Sequence, residues 1–304
     1  MRTGRRLRLG SAALAPGLAV VLPLAWLLAH LPTGAGLWVG RRLGDLGWCL
    51  MPRRRAVTRD NLARALGREQ APPELHRIAR QSFQHLGMNI VETCTLMFRP
   101  PSVMLSRMTL VNREHVEKAA AEGKGILLLS AHLGNWELLA PSHLLTTFGL
   151  SIVIRPLDDP VLDRIVERFR RRSGAQLIAK RRGLRDILDA LRRGRMVGVL
   201  LDQNAARSEG LFAPFFGQAA STSKALAVIS LRTGAPVVPV FIRRVGGGRH
   251  ELEIEPAVPV PLDGDVAEYT ATFNRIIEAA IRRTPEQWFW MHERWRTQPR
   301  PGTA

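Results

Sequence analysis

Apolar and polar positions divide the chain into three stretches of different texture. Residues 11–31 are apolar almost throughout, with no formal charge before His30. Residues 41 to about 120 follow helical spacing, and the longest helical pattern there begins at Pro72 and runs to Phe98. From about residue 122, short apolar runs alternate with arginine-rich segments of helical spacing. This order predicts an apolar N-terminal helix, a helical lead-in and an α/β core.

The third stretch predicts a mixed, mostly parallel central sheet flanked by helices. Its short apolar runs, several rich in valine and isoleucine, are GILLLSA, SIVIRP, AQLIA, MVGVLLD and PVVPVFIRR. Strands that alternate with helices are typical of a parallel sheet covered on both faces. The late segment HELEIEPAVPV alternates apolar with charged residues, as an edge strand does, and the glycines at 246–248 suit a hairpin turn before it. We therefore predict an α/β fold.

The length of 304 residues permits one large core with a short accessory segment. We expect residues 1–35 to form an N-terminal membrane anchor and residues 36–304 a single domain, with the helical lead-in over 36–120 and the catalytic α/β core over 121–304. A retained membrane-embedded helix over Ser11–Leu31 has about the length that a bilayer requires. A cleaved signal peptide is the alternative, because the basic start and apolar centre also fit one. Arginines on both sides leave a tilted, re-entrant or hairpin arrangement as open as a simple span.

Charge narrows the classes of partner. The chain has 44 Lys and Arg against 26 Asp and Glu, a net charge of +18. Such an excess favours polyanions: nucleic acid, an anionic membrane surface or a phosphorylated substrate. No helix-turn-helix, zinc-finger or RNA-recognition signature accompanies the charge, and nucleic-acid binding does not explain the apolar N-terminal segment. We predict a membrane and an anionic substrate as partners, and no nucleic acid.

Cysteine and histidine usage gives no sign of a metal centre. Cys49 and Cys94 are too few for a disulfide framework or a thiolate site, and the HExxH pattern is absent. We predict neither a metal nor a cofactor.

The segment GILLLSAHLGNWELL, Gly125–Leu139, carries the candidate chemistry. Its apolar run ends at His132, and Glu137 follows five residues later. Ligands of open α/β sheets gather at the carboxyl ends of strands, where His132 is predicted to lie. The turn between the two residues, with Asn135 as a helix cap, would let Glu137 hold one imidazole nitrogen while the other takes a proton from a substrate hydroxyl. A buried strand and a helix with incidental polar residues are the structural alternative.

Five segments along the chain carry a family resemblance. HLGNWE, His132–Glu137, resembles the motif of histidine, four residues and an acid in glycerolipid acyltransferases, in the form found in the bacterial lipid A late acyltransferases of the lysophospholipid acyltransferase superfamily. Further blocks are similar in the same order: IRPLDDP, LLDQNAARSEGLFAPFFGQAASTSKALAVIS, TGAPVVPVFIRR and EQWFWMHERWRTQP. The resemblance covers nearly the whole chain, which makes it more specific than any single motif.

The resemblance implies the transfer of a fatty acyl chain from acyl carrier protein to a hydroxyl of a phosphorylated glucosamine lipid. It implies a location at the cytoplasmic face of the bacterial inner membrane. His132 would be the general base and Glu137 its orienting partner. Arg155 would stabilise the oxyanion or bind a substrate phosphate, although an ion pair with Asp158 or Asp159 is an equal alternative.

The remaining candidates each have two interpretations. Asp202 and Gln203 follow another predicted strand, so they face the same crevice or stabilise a turn. Asn135 contacts substrate or caps a helix. The phenylalanines of GLFAPFFG line an acyl-chain pocket or pack in the core: Phe212, Phe215 and Phe216.

Two other functions compete with acyl transfer to a lipid A precursor. One is a transferase of the same superfamily that acylates another acceptor, namely a glycolipid, an ornithine lipid or a glycerolipid. The other is a basic membrane-associated protein without enzymatic activity. Tryptophans near the C-terminus suit either the bilayer interface or the core: Trp288, Trp290 and Trp295.

Overall fold

The computed structural model describes residues 11–154, 167, 170–179, 183–261 and 263–299. Its N-terminal part is helical, as predicted, apart from one short strand. The helices there are α1 (Ser11–His30), α2 (Thr33–Leu50), α3 (Pro52–Leu66), α4 (Pro72–Phe98), α5 (Ser102–Leu105) and α6 (Glu114–Ala120). The predicted bounds of α4 are confirmed: prolines begin it because the first helical positions need no N–H donor.

The predicted membrane helix over Ser11–Leu31 corresponds to α1. Within the part of the chain that the structure describes, no helix is both long enough and apolar enough to cross a membrane.

Helix α4 is the centre of the helical layer and packs closely against α2. Glycines stand at the crossing, Gly40 and Gly44 on α2 and Gly87 on α4. A Cβ on Gly44 would clash with the Phe83 carbonyl oxygen, and one on Gly87 would clash with that of Gly40. Only glycine therefore allows the two backbones to approach this closely, which fixes α4 against α2.

Over the residues that the structure describes, the central sheet has seven strands in the order β1-β9-β8-β2-β5-β3-β4. All neighbouring pairs are parallel except β8 and β9, which form an antiparallel hairpin. A separate hairpin joins β6 to β7. The strands are β1 (Met108–Val111), β2 (Ile126–Ser130), β3 (Leu150–Ile154), β4 (Gln176–Ala179), β5 (Met196–Leu200), β6 (Gly210–Phe215), β7 (Gln218–Ser223), β8 (Val237–Gly246) and β9 (Arg249–Ile254). The predicted mixed, mostly parallel sheet is confirmed.

The prediction that HELEIEPAVPV forms an edge strand is wrong. Strand β9 lies between β8 and β1, because β1 pairs with it in parallel from Met108↔His250 onward. Strand β1 is only four residues long and interrupts a stretch of helical spacing, so the sequence pattern concealed it. The predicted hairpin turn at the three glycines is confirmed.

The core of the protein lies on both faces of the sheet. Leu127 and Leu129 of β2 have no exposed surface and belong to the larger cluster, which also contains Phe273 and Ile277. In the described part of the chain the further helices are α7 (Leu139–Ser142), α8 (Gly183–Arg192), α9 (Ala225–Thr233) and α10 (Val266–Arg283), of which α8 and α9 pack against the sheet. Strands β2 and β5 are neighbours, and Ser130 pairs with Leu200 at their carboxyl ends. The residues that follow these two strands therefore meet.

Candidate active site

The turn after β2 places His132 at the carboxyl edge of the sheet. Backbone bonds tie this turn to the C-terminal segment: the His132 carbonyl accepts from Phe289 N–H at 3.0 Å, and Gly134 N–H donates to the Gln287 carbonyl at 3.0 Å. Gly134 has a φ of +59°, and a Cβ there would clash with the Ile242 carbonyl oxygen of β8. The turn therefore requires glycine and lies directly against β8, which runs on past the end of β2.

Asp202, immediately beyond β5, is the carboxylate that binds His132. Its Oδ1 lies 2.8 Å from His132 Nδ1, and its Oδ2 accepts from the His132 backbone N–H at 2.9 Å. The Trp288 indole N–H donates to the same Oδ2 at 2.7 Å. Asp202 is 2% exposed. Three donors around one buried carboxylate fix both the position and the plane of the imidazole ring.

Asp202 is ionised at neutral pH. Burial alone raises the pKa of this carboxyl, but the charge and hydrogen bonds of His132 and the bond from Trp288 outweigh it and lower the pKa to about 2. An ionised carboxylate only accepts hydrogen bonds, so His132 Nδ1 carries the hydrogen. The lone pair of the neutral ring is therefore on Nε2, the nitrogen that faces away from Asp202.

Gln203 marks the open side of the imidazole. Its Nε2 lies 3.2 Å from His132 Nε2, so the amide donates to the lone pair. The His132 side chain is 18% exposed, and the rings of Trp136 and Phe289 flank it at centroid distances of 5.2 and 6.3 Å. A hydroxyl that replaced the Gln203 amide at this nitrogen would be placed for proton transfer. The prediction that Asp202 and Gln203 share one crevice with His132 agrees with this geometry.

Glu137 bonds to Arg170 in the structure. Its carboxylate accepts from Arg170 Nη2 at 2.8 Å and from Nε at 3.2 Å, and both side chains are partly buried. The predicted contact between Glu137 and His132 has no counterpart among the hydrogen bonds of His132. The physical reason is that Glu137 belongs to a short 3-10 helix, Trp136–Leu138, beyond the turn, whereas Asp202 comes from the adjacent strand and reaches Nδ1 directly.

Sequence reasoning did not single out Arg170 or Trp288 for these contacts. Arg170 was one of many arginines in its segment, and nothing local distinguishes it. For Trp288, the sequence predicts a place either in the core or at the bilayer interface. It is 2% exposed, and Trp290 and Trp295 are also buried, so the core interpretation holds for all three.

Asn135 and Arg155 are the two remaining residues predicted to contact substrate. Asn135 does not cap the helix that follows it; its side-chain amide donates to Glu92 Oε2 at 2.8 Å, beneath the turn. It is 1% exposed. Arg155, with Asp158 and Asp159, lies outside the described residues.

The predicted acyl-chain phenylalanines divide between core and surface. Phe215 and Phe216 are buried and pack against one another at 5.0 Å between ring centroids. Phe215 also packs on Trp288, and Phe216 on Trp290. Phe212 is 36% exposed beneath the Arg207 guanidinium. The core interpretation therefore applies to Phe215 and Phe216, and the Phe215 ring packs directly against the Trp288 that binds Asp202.

Comparison with known proteins agrees with the resemblance. The profile of the family described as bacterial lipid A biosynthesis acyltransferase matches residues 12–297. The chain belongs to this family. It is 29% identical over 277 residues to the lipid A biosynthesis lauroyltransferase of Escherichia coli (strain K12), covering 90% of this chain and 89% of that protein.

Two further relatives from the same organism act with other acyl chains, as their names state. The lipid A biosynthesis palmitoleoyltransferase is 29% identical over 281 residues, which is 91% of this chain and 90% of the relative. The lipid A biosynthesis myristoyltransferase is 26% identical over 268 residues, 87% of this chain and 80% of the relative. The protein is thus an O-acyltransferase of the lipid A biosynthesis family, and its similarity to relatives of three chain specificities does not select one of them.

Proposed function

We propose that the protein transfers a fatty acyl chain from acyl carrier protein to a hydroxyl of a lipid A precursor, with His132 as the general base and Asp202 as its orienting partner. The observation that carries this proposal is the bond between His132 Nδ1 and the ionised Asp202, which leaves the Nε2 lone pair on the open side of the ring, where only the exchangeable Gln203 amide bonds it in the described residues. Family membership supports the reaction class.

The reaction proceeds by direct attack. His132 Nε2 takes the proton of the acceptor hydroxyl as its oxygen attacks the thioester carbonyl. The new C–O bond forms, the C–S bond breaks, and the imidazolium returns the proton to the leaving thiolate. Asp202 stabilises the imidazolium while it exists and keeps the ring in the productive tautomer. The ester and the free thiol are the products.

Attack on the thioester places negative charge on the carbonyl oxygen, which a positioned hydrogen-bond donor stabilises. Arg170 is held in place by Glu137, the residue five positions after the base, and is 24% exposed. We assign it, together with Arg155, to the thioester oxyanion or to a phosphate of the acceptor, because a guanidinium donates strong charge-assisted hydrogen bonds to anionic oxygens and Glu137 engages Nε and Nη2 of Arg170 but not Nη1. Glu137 then acts by positioning Arg170.

The protein works at the membrane surface, on the cytoplasmic side of the inner membrane. Helices α1 and α2 expose more large apolar side chains than is usual for a protein surface that faces water. These are Val21, Leu24, Trp26, Leu27, Trp38, Leu46 and Leu50, which are 53–69% exposed. Arg53 and Arg54 lie three and four residues after Leu50 and are exposed, a position that favours contact with anionic head groups. This face would keep the enzyme beside its lipid acceptor and leave the acidic carrier protein to approach from the cytoplasm.

The test compares wild type with His132→Ala in detergent, using the same labelled acyl chain on acyl carrier protein and on coenzyme A. The acceptor is the tetra-acylated, sugar-bearing lipid A precursor. We expect transfer from the carrier protein that falls by at least about a thousandfold in His132→Ala. The matched control is His115→Ala, which removes a partly buried imidazole that bonds the Ile254 carbonyl. Activity retained in His132→Ala would refute the base. Acylation of another lipid in place of this acceptor would refute the acceptor while keeping the mechanism.

A further inference from the structure

A second cluster of charged side chains lies buried beneath the catalytic turn. Glu92 of α4 accepts from Arg244 of β8, with Nη2 to Oε2 at 2.6 Å and Nε to Oε1 at 3.3 Å. His250 of β9 lies 3.1 Å from the same Oε1 through its Nε2. The side chains of Glu92, Arg244 and His250 are 8%, 5% and 0% exposed. None of the contacts described for the catalytic reaction uses these groups.

The cluster reaches the turn at two points. Asn135 donates its side-chain amide to Glu92 Oε2 at 2.8 Å. Asn89, one helical turn before Glu92, accepts from Arg244 Nη2 at 2.8 Å and donates to the Gly134 carbonyl at 2.6 Å. Asn135 itself lies between His132 and Glu137, and Asn89 bonds to the backbone of that segment at Gly134. The cluster therefore binds the middle of the segment whose ends carry the chemistry.

A third connection runs through the backbone of Arg244. Its N–H donates to the Gln287 side-chain oxygen at 2.8 Å, and the Gln287 amide donates to its carbonyl at 3.0 Å. The Gln287 carbonyl in turn accepts from Gly134 N–H. Arg244 thus supports the turn both through its side chain and through the C-terminal segment that precedes Trp288.

The Glu92 carboxyl favours its ionised form despite its burial. Burial raises the pKa of Glu92, but Arg244 and His250 lower it to about 2. Burial and the neighbouring Arg244 lower the pKa of His85, whose Nδ1 lies 2.8 Å from Arg244 Nη1, to about 3. Removing two charges from water is costly, so a buried ion pair adds little net stability compared with apolar side chains. Its benefit is the fixed direction of several hydrogen bonds.

We propose that Glu92 and Arg244 are positioning residues for the catalytic turn, holding Gly134 and Asn135 so that His132 and Glu137 keep the geometry of acyl transfer. The inference rests on the proposed function for its kinetic consequence, but its structural consequence is independent of any substrate. Reactions that depend on a near-attack geometry lose about a hundredfold in rate when a group moves by about 1 Å. A loosened turn therefore lowers kcat and leaves KM nearly unchanged.

Two mild variants cut the links without removing the ion pair. Asn135→Ala removes the amide that binds Glu92, and Asn89→Ala removes the one that binds the Gly134 carbonyl. Ser230→Ala is the matched control, because Ser230 is fully buried, donates to the Ala235 carbonyl at 2.9 Å and belongs to α9, near the start of β8. Glu92→Asp, which keeps the charge on a shorter side chain, tests the acid itself.

Hydrogen exchange and kinetics are measured on the same samples of full-length protein. We expect the backbone amides of residues 132–138 to exchange at least about tenfold faster in Asn89→Ala, Asn135→Ala and Glu92→Asp, but not in Ser230→Ala. We expect kcat per folded molecule to fall about tenfold or more in those three variants at unchanged KM, whereas Ser230→Ala lowers Tm alone.

Hydrogen exchange and kcat together distinguish a wrong positioning role from a wrong proposed function. Turn amides that exchange at the wild-type rate in all three variants would refute the positioning role, whatever the activity. Faster exchange with kcat within twofold of wild type would refute its effect on catalysis. If wild type transfers no acyl chain to the lipid A precursor, the proposed acceptor is wrong, and the exchange measurement still decides whether Glu92 and Arg244 hold the turn.

Discussion

Replacing Asp202 with asparagine tests the central pair of the site with almost no change of shape. The carboxylate accepts three hydrogen bonds, two on Oδ2 and one on Oδ1. An asparagine oxygen that faces the His132 backbone N–H and the Trp288 indole leaves the NH2 group facing His132 Nδ1. Because that NH2 only donates, the ring must carry its hydrogen on Nε2. His132 then has no lone pair where the substrate hydroxyl arrives.

The expected loss has a catalytic and a structural part. A base held in the wrong tautomer loses about 10⁴-fold in kcat in a serine protease triad, which corresponds to roughly 5 kcal/mol. The lowering of the Asp202 pKa from 3.8 to about 2 corresponds to about 2 kcal/mol of folding free energy at neutral pH, which the neutral amide forfeits. We therefore expect kcat to fall 10³- to 10⁴-fold and the protein to unfold at a lower denaturant concentration while remaining folded.

The assay combines acyl transfer with the nitrogen resonances of His132, which report the tautomer directly. Asp189→Asn is the control, because Asp189 is an exposed acid paired with Arg192 on the surface. Glu137→Gln is the comparison that matters most. If Glu137 oriented the base, Glu137→Gln would shift the hydrogen to Nε2 and Asp202→Asn would leave it on Nδ1. A ring that keeps its Nδ1 hydrogen in Asp202→Asn, with activity within tenfold of wild type, would refute the assignment of Asp202.

Three further predictions follow from the same geometry. Arg170→Ala should lower kcat/KM by about 10²-fold or more, as the loss of one oxyanion donor does, while Arg192→Ala, an exposed control, should leave it unchanged in the same transfer assay. Gly134→Ala should abolish activity and lower Tm, because the added Cβ would clash with the Ile242 carbonyl oxygen. The control is Gly123→Ala, which has a similar φ of +71° but open space around it, so its free energy of unfolding should fall only by the backbone strain of about 1 kcal/mol. The free energy of unfolding should decrease as pH falls below about 6.5, because burial lowers the pKa of His85 to about 3 and of His292 to about 4, so unfolded chains bind protons that the folded state excludes. The free energy of unfolding should decrease further below about pH 4, because Asp202 and Glu92 have folded pKa values of about 2 and are protonated in the unfolded chain first. Chemical denaturation at several pH values measures both steps. An unfolding free energy that stays constant from pH 7 to 4 would contradict the histidine assignment.

Local patterns in the sequence determined the helical lead-in and most of the sheet. The bounds of α4 follow from a proline start and 3.6-residue spacing, and β2, β5 and β8 follow from short apolar runs between turns. These patterns arise because a helix or strand buries one face or both faces, and the spacing of apolar residues within each segment reflects that burial without reference to the rest of the fold. Strand β1 escaped because four residues are too short for a period to be distinguished from its helical surroundings.

The location of the candidate active site was also predictable in part from the sequence. His132 and Asp202 each follow an apolar run, and the rule that ligands collect at the carboxyl ends of strands places both at one edge. The family resemblance identified the same segments, and the family profile agrees with it.

Only the tertiary structure decided which groups meet. Glu137 is five residues from His132, whereas Asp202 is 70 residues away, yet Asp202 makes the bond because β5 lies directly beside β2. A hydrogen bond requires placement to within a few tenths of an ångström, and strand order, which no local period records, sets that placement. The same reason applies to Glu92 and Arg244: they lie on a helix and a strand 152 residues apart, and only the packing of α4 under β8 brings them together beneath the turn.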